Sequence, residues 1–124
     1  MALITFLVED SKTIRDNLIP TLEDMTHARV VGVAETEMAA VHWLQGQDKA
    51  WDLAIVDLFL KEGSGIGVLQ GCRDRLAHQR VVVLTNYATD EMRKRCIAQG
   101  ADAVFDKSTE LDELLEFCQR VARD

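Results

Sequence analysis

Asp57 is the only polar residue in the run LAIVDLFL, residues 53–60. A carboxylate among Ile, Val and Leu is costly unless it is paired, metal-bound or at the wet end of its segment. Other chemistry-bearing residues end or follow apolar runs in the same way: Glu9 and Asp10 after LITFLV, Thr85 and Asn86 at the end of RVVVLT, and Asp106 and Lys107 at the end of DAVFDK. Brought together, Glu9, Asp10 and Asp57 would repel one another without a cation. Oxygen-only ligands with room for water and a phosphate oxygen favour Mg²⁺ over zinc. Lys107 offers a point charge for an anion, and Thr85 a hydroxyl donor.

The elements that must position these residues alternate regularly. Strands are expected at 3–8, 29–34, 52–57, 80–85 and 102–107, each an apolar run rich in Val, Ile or Leu. The first helix starts at a Ser11 cap and buries Ile14, Leu18, Leu22 and Met25, with Pro20 inside it. The second starts at Thr36 and buries Met38, Val41 and Leu44. A Gly-rich loop at 61–65 leads to a third that turns Val68, Leu69, Cys72 and Leu76 inward. The fourth runs from a Thr89 cap to Gly100, and the fifth carries Leu111, Leu114, Leu115, Cys118 and Val121 behind a Thr109–Asp112 capping box. Five such β-α units demand right-handed crossovers and a parallel sheet with helices on both faces. Function in such sheets gathers at the carboxyl ends of the strands, where the polar residues above stand.

The 124 residues make one domain, residues 1–124, whose 48% hydrophobic and 28% charged content is that of an ordinary globule. Twenty-one acidic residues against 14 basic give net charge −7, which argues against direct nucleic-acid binding through phosphate contacts. No apolar run is long enough for a membrane span and the first residues lack the basic start of a signal peptide, so a cytoplasmic location is expected. Cys72, Cys96 and Cys118 have no CxxC spacing and read as reduced core thiols. His27, His42 and His78 suggest no metal or catalytic site, and Trp43 and Trp51 read as packing residues.

Glu9-Asp10, Asp57, Thr85 and Lys107, on the ends of strands one, three, four and five, resemble the receiver domain of two-component response regulators over the whole chain. That resemblance implies a flavodoxin-like (βα)5 fold with strand order 2-1-3-4-5. It implies that Asp57 accepts a phosphoryl group from a phosphohistidine of a sensor histidine kinase or phosphotransfer protein. Glu9, Asp10 and Asp57 would hold Mg²⁺, Lys107 would pair with the phosphoryl oxygens, and Thr85 would close on the phosphate as the switch. The chain would be no enzyme beyond catalysing its own phosphorylation and dephosphorylation. Its output would pass to a partner domain or protein, or to a second copy, through the face of helix four, strand five and helix five, where Arg93, Lys94 and Arg95 suit a partner.

Singly, each residue has a plainer reading: Glu9 and Asp10 as capping acids, Thr85 as a strand-end hydroxyl, Lys107 as an exposed lysine. Their coincidence at one sheet edge favours function. Departures from the family pattern fall at Lys61, Asn86 and Ser108, and at Val104, which stands where an inward-rotating aromatic is usual. Phe105 should face the other side of the sheet, leaving Tyr87 to replace the missing aromatic. Phe59 and Tyr87, two residues after Asp57 and Thr85, should shield a phosphoryl group from water. A haloacid-dehalogenase-type phosphatase would need an aspartate where Phe59 stands, and a flavodoxin-like carrier would not place acids after the first strand. GSGIG (63–67) is neither a Walker loop nor GxGxxG and reads as a turn.

Overall fold

The computed structural model describes residues 2–46 and 50–123. Strand β1 (Leu3–Val8) is followed by α1 (Lys12–Met25), β2 (Ala28–Ala34), α2 (Glu37–Gly46), β3 (Leu53–Val56), α3 (Gly65–Gly71), β4 (Arg80–Thr85), α4 (Asp90–Ala98), β5 (Ala103–Asp106) and α5 (Leu111–Arg123). The strands are all parallel, in order β2-β1-β3-β4-β5. Because each central strand is covered on both faces, its apolar run is continuous rather than alternating. Phe6, Val8, Ala54, Val56, Val81, Val83 and Val104 pack with α2, α3 and α4. Leu3, Leu7, Leu53, Ile55, Val82, Leu84 and Phe105 pack with α1 and α5. Val104 and Phe105 therefore lie on opposite sides of the sheet, as their alternation requires.

The amino ends of the strands show why two expected boundaries move. Asp52 and Asp102 precede β3 and β5 rather than belonging to them. Their carboxylates accept the amide hydrogens of Ile4 and Val81, each at 2.8 Å, and so cap the neighbouring strands. Arg75 fastens Asp102 from the side at 3.0 Å. The edge strand β2 slips register against β1 between Thr5 and Phe6, an irregularity that disfavours pairing with another edge.

Several helix positions differ from expectation. Ser11 and Thr89 cap α1 and α4 by accepting the amides of Ile14 and Met92, and α1 runs through Pro20. Met25 at its end is exposed. In α2 the buried pair is Ala40 and Leu44, one turn apart, which turns Met38 to solvent at 83% exposure. Helix α3 stops at Gly71, so Leu76 falls in the following turn and is exposed, its amide held by the side chain of buried Gln79 at 2.9 Å. The Thr109–Asp112 capping box gives way to another device. Helix α5 begins at Leu111, and Glu110 folds back to accept the Asp106 amide at 2.9 Å.

Trp51 is buried with its indole N–H on the Leu44 carbonyl, and Trp43 stacks on Phe6 with ring centroids 4.0 Å apart. Both are packing residues. Gly65, at the start of α3, closes the turn that leaves β3: its amide donates to the Leu58 carbonyl at 2.9 Å, and a Cβ there would lie 2.3 Å from the Asp57 carbonyl oxygen. Gly65→Ala should cost about 2 kcal/mol through overpacking against backbone, lowering the thermal unfolding midpoint by roughly 5 °C or more. Gly46→Ala, with nothing among the described residues within 4 Å of the added carbon, should leave it unchanged or raised.

Candidate functional site

Three of the polar residues at the carboxyl edge are rooted by one device. The Glu9 amide donates to Ala34, the Asp57 amide to Val8 and the Lys107 amide to Thr85, at 2.9, 2.9 and 3.0 Å. Each bond extends a parallel ladder one residue beyond its strand. The side-chain roots are therefore as fixed as the sheet, while the side chains emerge at its end.

Lys107 gathers the site. From the end of β5 its ammonium reaches across β4 to donate to Asp57 Oδ2 at 2.9 Å and to Glu9 Oε1 at 2.6 Å. Strands lie ~4.8 Å apart, so only a long, extended side chain spans that distance. Burial of the ammonium by itself lowers its affinity for a proton, but the bonds to Glu9 and Asp57 outweigh it and raise the Lys107 pKa above the usual lysine value. It stays charged at neutral pH. Glu9 and Asp57 are buried at 2% and 8% exposure. The second Glu9 oxygen accepts the Ser11 amide at 3.1 Å, and Asp57 Oδ1 receives only a long 3.5 Å contact from the Phe59 amide among the described hydrogen bonds.

Asp10 completes the cluster: one carboxylate oxygen from each of Glu9, Asp10 and Asp57 lies within 4.8 Å of the others. Three oxygen donors at that spacing fit a hard divalent cation better than a soft one. Thr85 is fully buried at the end of β4, its hydroxyl engaged by the Tyr87 amide at 3.1 Å rather than by the cluster. Asp106 turns away, its Oδ1 accepting the amides of Ser108 and Thr109 at 2.7 and 3.2 Å. Asn86 meets the Ser108 hydroxyl at 3.5 Å. Phe59 and Tyr87, two residues after Asp57 and Thr85, are more than half exposed, their rings tilted against each other with centroids 4.5 Å apart.

Two arginines take internal roles, one against the expectation from sequence and one without any. Arg93, expected on an outward face, is spent internally: it donates to the carbonyls of Ala88 at 2.9 Å and Val104 at 3.0 Å and pairs with Glu110. That pairing holds the Glu110 carboxyl below its usual range. Lys94 and Arg95 remain exposed beside exposed Ile97. Arg15, which no motif singled out, donates to the Glu9 carbonyl at 2.8 Å and to Glu35 at 3.0 Å. Its position one turn into α1 carries no signal in sequence.

Comparison with known proteins points one way. The family model described as the response regulator receiver domain matches residues 5–119. The DNA-binding transcriptional activator DevR/DosR of Mycobacterium tuberculosis is 30% identical over 96 residues, covering 77% of this chain and 43% of that protein. The photosynthetic apparatus regulatory protein RegA of Rhodobacter capsulatus is 29% identical, covering 66% of this chain and 44% of that protein. The chain thus spans about half the length of the curated relatives it matches. Among solved structures, the signal receiver domain of NarL from Mycobacterium tuberculosis superposes with TM-score 0.84 at 19% identity, covering 98% of this chain and 97% of that one. The BeF3-activated DrrB receiver domain does so with TM-score 0.82 at 22% identity over the full length of both.

Removing the ammonium should leave Glu9 and Asp57 as uncompensated buried charges. Lys107→Met should lose about 3 kcal/mol of stability in urea unfolding at neutral pH. Because the cation's place is then open, Mg²⁺ should stabilise Lys107→Met more than wild type in the same measurement.

Proposed function

We propose, from the premise that this chain belongs to the response regulator receiver domain family, that Asp57 is its phosphoacceptor and Lys107 the residue that receives the phosphoryl charge. A phosphorylation-driven switch is the function of the family, and receiver domains pair with histidine kinases and output domains. The observation that carries the assignment here is the Lys107 ammonium shared between Asp57 and Glu9.

The residues present support the reaction as follows. Asp57 Oδ1, the less encumbered oxygen, attacks the phosphorus of a phosphohistidine; the P–N bond breaks as the new P–O bond forms, and the imidazole nitrogen takes up a proton. Lys107 is already in contact with the other oxygen and follows the charge from carboxylate to phosphoryl oxygens with little reorganisation. Glu9, Asp10 and Asp57 would hold Mg²⁺, which when bound neutralises charge on the phosphoryl oxygens. Ser11, through its amide on Glu9, keeps that carboxylate aimed inward.

Thr85, whose hydroxyl oxygen accepts the Tyr87 amide, then turns to donate its hydroxyl hydrogen to a phosphoryl oxygen, and the segment from Asn86 to Ala88 moves with it. Arg93 grips Ala88, Val104 and Glu110 together, so that movement reaches β5 and the start of α5. Tyr87 is the aromatic free to follow, since Val104 is too small to act as one. The exposed Lys94, Arg95 and Ile97 on α4 lie in reach of an output partner or a second copy of the domain. Switching is a shift between two states, and the phosphoryl group favours the one in which Thr85 and Lys107 both contact it.

Incubation with acetyl phosphate and Mg²⁺ should add one phosphoryl group to the intact protein by mass spectrometry, and Asp57→Asn should take up none. Modification of Asp57→Asn to the wild-type extent would displace the assignment. The phosphorylated form should be long-lived, because Phe59 and Tyr87, two residues after Asp57 and Thr85, would shield the phosphoryl group from an in-line water. Phe59→Asn should release phosphate faster than wild type once the donor is removed, at unchanged uptake.

A further inference from the structure

The segment GSGIG, which fits no phosphate-binding motif, is instead the seat of a carboxylate. Glu37, in the first turn of α2, reaches across to the loop that follows Asp57. Its Oε1 accepts the Ser64 amide at 2.9 Å and its own amide donates to the Glu62 carbonyl at 3.0 Å. A Cβ on Gly63 would lie 2.5 Å from the Glu37 Cβ, and one on Gly67 would lie 2.2 Å from its carboxyl carbon. Gly63 also adopts φ +78°, a conformation that favours glycine. The glycines at 63 and 67 clear the space that the glutamate fills.

What Glu37 holds bears on the site. Ser64 caps α3 through its hydroxyl on the Gly67 amide at 3.2 Å, and pairs across an antiparallel bridge with Phe59. Phe59 in turn meets Tyr87 in a tilted ring contact, centroids 4.5 Å apart, and its amide lies 3.5 Å from Asp57 Oδ1. A second tie runs parallel, the Lys61 amide on the Glu35 carbonyl at 3.3 Å with Thr36 bridged to Glu62. Loops are the mobile part of such a domain, and this one is fastened to its neighbour at its far end.

We propose that Glu37 is a positioning residue that, through Ser64, holds Phe59 beside the Asp57 carboxylate and thereby sets how long a phosphoryl group survives there. This rests on the reading of Asp57 as the acceptor. The carboxylate acts as a hydrogen-bond acceptor, so its charge is dispensable and its oxygen is not. Glu37→Gln keeps an acceptor for the Ser64 amide and Glu37→Ala does not.

Two measurements separate this role from simple structural support. In unphosphorylated protein, NMR should show the Phe59–Tyr87 ring contact weakened and the Phe59 and Ser64 amide resonances moved in Glu37→Ala, with both retained in Glu37→Gln. In protein phosphorylated with acetyl phosphate and then freed of donor, Glu37→Ala should release phosphate about fivefold faster, the factor worth one net hydrogen bond. Glu37→Gln should stay within about twofold of wild type, and Glu37→Ala added to Phe59→Asn should accelerate release no further, the two changes acting through one contact. An unaltered Phe59–Tyr87 contact in Glu37→Ala, a wild-type release rate, or full acceleration in the Phe59→Asn background would each overturn the proposal. Failure of the wild type to take up phosphate would strike the acceptor assignment instead, and the ring contact would still decide the role of Glu37.

Discussion

One ammonium holds the functional edge of this domain together. Lys107 stands at the end of β5, yet its charge is delivered to Asp57 after β3 and Glu9 after β1, so a single side chain ties the carboxyl ends of three strands across the sheet. Buried like charges repel, and a buried carboxylate without a partner is strongly unfavourable. Asp57 can therefore lie at the end of a fully apolar strand only because the topology delivers a cation to it. The parallel order β2-β1-β3-β4-β5 is what makes that delivery possible.

The same constraint explains which parts of the architecture were legible in the sequence. The apolar runs of β1, β3, β4 and β5 are covered on both faces and read directly as strands, and the acids and lysine that follow them read as one edge. Ser11 and Thr89 announced their helices through cap chemistry. The failures share a cause, which is that a side chain did a job the backbone pattern could not reveal. Asp52 and Asp102 looked like strand residues and turned out to cap neighbouring strands. Leu76 fitted a helical period, but α3 ends at Gly71, whose missing side chain admits Val41. Met38 fitted a face that Ala40 and Leu44 occupy instead.

Long-range side-chain partnerships were the least legible of all. Arg93 looked like one of three exposed charges and proved to be a clamp linking the loop after β4, strand β5 and the turn before α5. Its charge is spent on two carbonyls and on the part-buried pairing with Glu110. Glu37 belonged to no motif in the sequence, and GSGIG read as a plain turn. Only the fold brings the two together. In both cases a charged side chain fastens a loop to a distant element, and such a tie leaves no periodic trace in sequence.

The account turns on where the Lys107 ammonium goes. It is now shared between Glu9 and Asp57, and the reading of this domain requires it to follow the charge when Asp57 carries a phosphoryl group. The most direct measurement is the ¹⁵N side-chain resonance of Lys107 in wild type and in Asp57→Asn, recorded with Mg²⁺ before and after addition of a beryllofluoride phosphate mimic. A large shift of that resonance in wild type, absent in Asp57→Asn, is the expected result. A resonance that stays in place in the wild type while the mimic binds would contradict the account.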